Sequence, residues 1–597
     1  MSKIKGGEFL IKEVTSDEIF IKEEFSEEQN MMRDAVQEFI DREVLPNRER
    51  FEKKDYALTE STMKKLGEMG LLGVSIPEVY GGIGMGFVST MLVTDYVSGA
   101  TGSLSTAYGA HTGIGIMPIY LYGSEDQKQK YLPDLIAGEK FGAYCLTEPE
   151  AGSDANSGKT TAVLTDDGKN YRINGQKMWI SNAGFAKVFI VFARIEDDKN
   201  ITAFVLDYDK ENPNGILLGE EEHKLGIKAS STRQVFFTDT LVPVENMLSE
   251  RGKGFKIALN ALNVGRIKLA AGCNDAQRRT INKSVEYANE RIQFKTPIAQ
   301  FGAIQKKLAD MSTKSYVSDA GIYRAAMDVE NKIDELVAEG KTLQKAKLTA
   351  FSEFAIEAAI LKVYVSEGVQ FVTDEGIQVF GGMGFSEDTP MEAAWRDARI
   401  TRIYEGTNEI NRLLTVSMLL KKAMKGQVDL IGPATAVGKS LMAIPSFNTP
   451  DYSVLFSEEK EIIAKLKKAF LMVAGSAVQK YAMDLQNHQQ LILAAAELMI
   501  EIYMAESAVL KAEKLAKKEG EEKVAGQIAM AKLNLFNAVE SVSKNAKEAI
   551  LYMAEGDEQR MMLMGLKRFT KYTNYPNTIA LRKVIAEKVI EANAFCF

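Results

Sequence analysis

Arg402-Ile403-Tyr404-Glu405-Gly406-Thr407-Asn408-Glu409-Ile410-Asn411-Arg412 sets a carboxylate on a glycine turn directly ahead of a helix start. Thr407 and Asn408 both carry side chains that cap helix N-termini. Ile410, Leu413, Leu414, Met418 and Leu419 then follow at the spacing of a buried helix face. Glu405 therefore faces whatever the unpaired N–H groups of that helix face. Such an arrangement suits a base beside an anionic or electron-accepting partner. An acid that merely helps to start a helix has the same local pattern.

Upstream of this turn, helical spacing runs from Gly254 and is broken by Gly381-Gly382-Met383-Gly384. Before that, about residues 141–245 read as strands: 162–164, 171–173, 177–180, 188–193, 203–206, 215–218 and 234–238, with Asp167-Gly168 and Asn174-Gly175 as hairpin turn signals. Two capping boxes, Ser26-Glu27-Glu28-Gln29 and Ser124-Glu125-Asp126-Gln127, open helices in the N-terminal region. The loop Gly81 to Gly86 follows no hydrophobic strand, so it reads as a tight connection rather than a dinucleotide fingerprint. Downstream, Pro433, Pro445 and Pro450 mark a linker. Ser457 then opens a last helical region, with Ile462, Ile463, Leu466, Phe470 and Val473 on one face. The expectation is a multi-domain α+β protein. It comprises an N-terminal helical domain (1–140), a middle β-barrel or sandwich domain (141–245), a helical bundle domain carrying Glu405 (246–425) and an extra C-terminal helical domain (435–597).

At 597 residues the chain is too long for one core. Its net charge of −8, with no isolated basic block, argues against a nucleic-acid partner. Three scattered cysteines and three scattered histidines disfavour disulfides and a metal site, and fit a reducing, cytoplasmic setting. The uncharged stretch from Tyr96 to Ser124 is interrupted by Gly, Ser, Thr and Pro118, so it reads as buried helix rather than a membrane span.

Tyr144-Cys145-Leu146-Thr147-Glu148-Pro149-Glu150-Ala151-Gly152-Ser153-Asp154 and Gln176 to Asn182 place hydroxyls, a small-residue turn and an indole close to the strand region. A flat aromatic cofactor needs a stacking wall and hydrogen bonds to ring heteroatoms, which Trp179, Thr147 and Ser181 can supply. A core tryptophan and an ordinary turn fit the same residues.

YCLTEPEAGSD, GQKMWISNAG, KLGIKASSTRQVFFTDTLVPVENML and RIYEGTNEINR, in that order, resemble the signature segments of the acyl-CoA dehydrogenase family. The likeness spans about residues 26–425, and the extra helical region resembles the very-long-chain branch. The resemblance implies FAD held by Tyr144, Leu146, Thr147, Gly152, Ser153, Trp179, Ile180 and Ser181. Arg291, Phe294, Gln305, Gln378, Gly381 and Gly382 would reach the FAD of a neighbouring subunit. Thr407, Asn408 and Glu409 would lie at the flavin-side helix start. Lys295 stands where the family usually has glycine. By the same resemblance, Glu405 is the catalytic base. Ser153, Asn263, Arg266, Tyr404 and Gly406 would meet the acyl-CoA or surround the base. The family's alternative base position corresponds to Gly265, which cannot serve. The implied activity is α,β-dehydrogenation of a straight-chain acyl-CoA to trans-2-enoyl-CoA in fatty acid β-oxidation, with electrons passing to an electron-transfer flavoprotein. Gly113 and Gly115 are taken to leave room for a long chain. A homodimer is expected, with membrane contact not expected. A non-catalytic scaffold or assembly factor and an acyl-CoA oxidase are the alternatives on the same fold.

Overall fold

The computed structural model describes residues 4–441 and 450–597. Both capping boxes form. Ser26 Oγ accepts from Gln29 N at 3.2 Å while Gln29 returns the bond at 3.0 Å, opening helix Glu27–Phe39. Ser124 and Gln127 do the same for helix Glu125–Ala137, which Gly138 ends in the left-handed region at φ 75°. Helix Phe87–Val97 is buried along its whole length. The uncharged stretch after it divides into helix Gly102–Gly109, a π turn Ala110–Gly115 and helix Ile116–Tyr122. Among the described residues, no helix is long and apolar enough to cross a membrane.

The middle region is a mixed sheet in the order β6-β7-β3-β2-β4-β5-β8, with β1 on β4. The strands are β1 (Gly142–Cys145), β2 (Thr161–Leu164), β3 (Asn170–Ser181), β4 (Val188–Ile195), β5 (Thr202–Asp207), β6 (Ile216–Glu221), β7 (Thr232–Pro243) and β8 (Met247–Leu248). Asp167-Gly168 turns β2 into β3 as expected. Asn174-Gly175 does not form a turn. It lies inside β3, at a bulge opposite the equally long β7. Gly175 adopts φ 154° there, and a Cβ on it would lie 2.5 Å from Thr160 Oγ1, so the dipeptide serves a bulge and a close approach. Strand β1, unanticipated, pairs parallel to β4 and is wholly buried. Ile173, Val191, Phe204 and Val235 belong to the sheet's own core.

A second, larger core runs from the N-terminal helices through Gly302–Ala338 and Ala355–Phe380 into Ser457–Tyr481, Gln489–Glu519 and Ala525–Met553. Ile462, Ile463, Leu466, Phe470 and Val473 are all buried in it. The N-terminal arm is docked rather than free: the Phe9 ring meets Tyr503 edge-on at 5.0 Å, and Val14, Ile19 and Ile21 pack with Leu510 and Leu515. The anticipated linker holds a helix, Ile431–Ser440, with Pro433 in its first turn, where a missing N–H costs nothing. Pro445 lies outside the described residues.

Candidate active site

The end of β1 with the turn that follows it, the end of β3, helix Gly254–Gly272 and the turn before helix Asn408–Met424 surround a cavity of about 1400 Å³. Glu405 stands on its wall at φ 60°, followed by Gly406 at φ 84°. Two consecutive left-handed residues, one without a glycine's freedom, are a strained turn that the surroundings must hold. Thr407 Oγ1 caps Ile410 N at 3.3 Å. Asn411 Nδ2 donates to Gly406 O at 2.7 Å, and Lys362 Nζ donates to Gly406 O at 2.8 Å and to Asn408 Oδ1 at 2.7 Å. Arg266 Nε reaches Glu405 O at 3.2 Å while its Nη1 donates to Asn263 Oδ1 at 3.1 Å.

Glu405 Oε2 is buried without a hydrogen-bond partner. Burial raises its carboxyl to about 7, against the opposing pull of Arg266 and Lys362. A Cβ on Gly265 would lie 2.6 Å from that oxygen, so the glycine makes the space the carboxylate occupies. The carboxylate is thus desolvated, unpaired and poised near neutral pH, which is the condition of a general base.

The opposite wall comes from the sheet. Lys177 on β3 donates to Glu148 Oε1 at 2.6 Å in a buried pair, and Glu148 also accepts from Thr160 N at 3.1 Å, which clamps the 147–153 turn onto the sheet. Trp179, held at φ 60°, is 52% exposed and faces the cavity with Thr147, Gly152, Ser153, Ile180 and Ser181. Tyr144 Oη is buried with no partner, and nothing stands within 4 Å of a Cβ placed on Gly152. An orphaned hydroxyl, an exposed indole and open space over a small-residue turn fit a planar cofactor.

Of the residues anticipated for the site, Tyr144, Leu146, Thr147, Gly152, Ser153, Trp179, Ile180, Ser181, Arg266, Tyr404, Glu405, Gly406 and Thr407 line the one cavity. Asn263 does not; it sits behind the wall, bound to Arg266. Asn408 turns inward to Lys362, Ser366 and Glu367 and braces the turn, while Glu409 points outward, exposed. Neither lines the cavity, because the helix start rotates them away. Arg291, Phe294, Gln305, Gln378, Gly381 and Gly382 are also absent from this lining. They gather at one end of the helical region, where Tyr287 stacks on Phe380 at 4.1 Å and Phe294 is 90% exposed. Lys295 there adopts φ 64°, a conformation natural to the glycine it replaces. Lys362 and Lys268 were not anticipated; Lys362 is a lone charge in an apolar helical run, the signal that exposes it, whereas Lys268 follows Arg266 by two residues and has no such mark.

Family models for the acyl-CoA dehydrogenase N-terminal (residues 26–139), middle (143–240) and C-terminal (252–420) domains match the chain, and a further acyl-CoA dehydrogenase C-terminal model matches residues 465–568. These define a flavin-type dehydrogenase architecture, and the chain belongs to the acyl-CoA dehydrogenase family. A probable acyl-CoA dehydrogenase of Bacillus subtilis is 42% identical over 591 residues, covering 99% of this chain and 98% of that protein. The human mitochondrial very long-chain specific acyl-CoA dehydrogenase is 40% identical over 390 residues, 64% of this chain and 55% of that one. The crystal structure of an acyl-CoA dehydrogenase complexed with FAD from Bacillus anthracis superposes with a TM-score of 0.96 at 41% identity, covering 100% of both chains.

Proposed function

We propose that the chain binds FAD and dehydrogenates straight-chain acyl-CoA thioesters to trans-2-enoyl-CoA in fatty acid β-oxidation, with Glu405 as the base. The observation that carries this is the unpartnered, buried Glu405 Oε2 in the space Gly265 vacates. A thioester α-proton is weakly acidic, so its removal needs a base poised near the working pH and a site from which water is excluded. Glu405, raised to about 7, meets the first need, and the apolar Leu262, Leu269 and Ile410 around it meet the second. Bound flavin supplies the acceptor for the hydride that leaves the β-carbon. Trp179 would wall that position, and the Tyr144, Thr147 and Ser181 hydroxyls, which line the same cavity, would bond its polar edge. Arg48, Arg279, Lys283 and Arg399 line other parts of the cavity and suit the phosphates of a coenzyme.

Electrons would leave to an electron-transfer flavoprotein, and the protein would act as a cytoplasmic homodimer in which residues 291–305 and 378–382 serve the neighbouring subunit's cofactor. Likeness to a very long-chain relative supports long substrates, but the glycines invoked for room do not. A Cβ on Gly115 would press against Gly142 Cα at 3.2 Å, so that glycine serves packing of the π turn on β1. Neither Gly113 nor Gly115 lines the cavity.

The test is anaerobic titration of the yellow protein with a series of acyl-CoAs. Flavin bleaching is expected; colour that persists across the series defeats the proposal. Peroxide release in air with turnover undiminished by lack of the flavoprotein acceptor would favour the oxidase reading. Stoichiometric capture of a protein partner without turnover would favour the scaffold reading, against which the intact base at Glu405 argues.

A further inference from the structure

Lys268 stands three residues beyond Gly265 on helix Gly254–Gly272, nearly one turn and about 5 Å along the axis from that glycine. It is 4% exposed. Its side chain lines two spaces, the main cavity and a hollow of about 20 Å³, and no other residue is common to both linings. That hollow is walled by apolar side chains including Leu71, Phe87, Met117 and Val264. The amine is turned towards the hollow: Nζ donates to Thr112 Oγ1 at 2.5 Å and lies 5.3 Å from the centre of the Tyr108 ring. Thr112 and Tyr108 both line the hollow and not the main cavity. What Lys268 offers the main cavity is therefore its methylene stem.

Folding alone does not explain this residue. No carboxylate partners it, and burial alone lowers its amine to about 7. A buried amine with a single hydroxyl partner costs stability where a methionine would not. Its place as the one residue shared by the linings of the two spaces is the feature to account for.

We propose that Lys268 is the inner stop of the acyl channel, the wall on which the end of the hydrocarbon tail comes to rest, and so sets the longest chain accepted. The proposal rests on the reading above that the cavity takes an acyl thioester. It carries a structural expectation: shortening this side chain should join the hollow to the cavity and lengthen the channel, while methionine, unbranched, apolar and one atom shorter, should leave the stop in place.

The experiment compares wild type, Lys268→Ala and Lys268→Met by anaerobic flavin bleaching and kcat/KM for saturated acyl-CoAs from butyryl- to stearoyl-CoA. Flavin content and Tm confirm folding, with Lys268→Ser as a second shortened variant. In the Ala and Ser variants the longest accepted chain is expected to move outward, the kcat/KM ratio of the next longer substrate to the wild-type optimum rising roughly tenfold. The Met variant is expected to keep the wild-type profile. Coincident wild-type and Ala profiles overturn the stop, as does a Met variant that shifts like Ala. A wild-type preference for glutaryl- or adipyl-CoA that the Met variant loses would make Lys268 a seat for an anionic tail and also overturn it. A wild-type protein that no acyl-CoA bleaches removes the functional reading itself, and the stop with it.

Discussion

Asp319 and the Oε2 atom of Glu405 are buried on opposite terms. Asp319, on helix Gly302–Ala338, sits between the N-terminal arm and the extra C-terminal helices. Lys22 approaches it at 3.6 Å, Lys511 binds it directly, and Lys511 also reaches Glu23 at 3.1 Å. Burial pushes the Asp319 carboxyl upward, but Lys22, Lys511 and Arg278 outweigh it and hold it at about 2. Glu405 is buried too, yet its nearest cations, Arg266 and Lys362, bond the turn's carbonyls and leave its own oxygen bare. Its carboxyl rises to about 7. The same physics gives a clamp in one place and a reactive group in the other. Asp319 adds stability above the ordinary aspartate range, which is lost as the pH falls towards 2. Glu405 does the reverse: folding favours its protonated form, so stability is lost as the pH rises from the ordinary glutamate range through about 7.

The largest expected effect separates these two roles. Glu405→Gln should lower kcat roughly 10³-fold or more while retaining flavin. Because it removes a desolvated charge, it should also raise stability at pH 8 by on the order of 2 kcal/mol, visible as a higher Tm. A variant that loses activity and stability together would make Glu405 structural. The clamp should behave in the opposite way. Lys511→Met strips Asp319 and Glu23 of a shared partner inside the protein and should cost about 3–5 kcal/mol, read as a lowered Tm, with kcat per bound flavin unchanged. Lys511→Met with Asp319→Asn should recover part of that loss. Equal loss in the single and double variants would show that the pair is not the clamp.

Much of this site was legible in the sequence because its residues are dictated by local backbone demands. The 402–412 turn carries its glycine, cap and apolar series within a few positions, and Gly265 complements Glu405 as its identity suggests. Asn174-Gly175 misled because a bulge and a hairpin turn ask for the same residues, and only the pairing of β3 along all of β7 tells them apart. Gly113 and Gly115 misled for a related reason: a small residue can make room, but the sequence does not say for what, and here Gly115 makes it for Gly142 while a Cβ on Gly113 would fit beside Lys268 at an ordinary 3.9 Å. The docking of the N-terminal arm on helices some 490 residues away rests on contacts between segments with no shared local pattern.

Smaller effects probe how the bare carboxylate is kept bare. Gly265→Ala places a methyl 2.6 Å from Glu405 Oε2, against the movable end of a side chain rather than backbone. The helix should therefore lose no stability, since alanine is the better helix former by roughly 1 kcal/mol. The carboxylate must swing aside, and kcat should fall roughly ten- to a hundredfold, measured with Tm held as the control. Unchanged kcat would mean that the base works from a different rotamer.

Lys362→Met tests the electrostatics with the least disturbance. Gly406 O keeps Asn411 Nδ2 at 2.7 Å, so the turn retains a donor after the amine is gone. What the variant removes is a cation that draws the Glu405 carboxyl downward. In the wild type the acid limb of the kcat/KM–pH profile should fall near pH 7, rate rising with pH as Glu405 ionises. In Lys362→Met that limb should move to higher pH, while the plateau rate at alkaline pH changes less than about tenfold. Burial lowers Lys362 itself to about 7, so its pull fades through the same interval, and the variant should match wild type most closely at the alkaline end. A limb that stays fixed would leave burial and Arg266 alone in setting the base. A plateau that collapses would place Lys362 in the architecture of the turn rather than in the tuning of its charge.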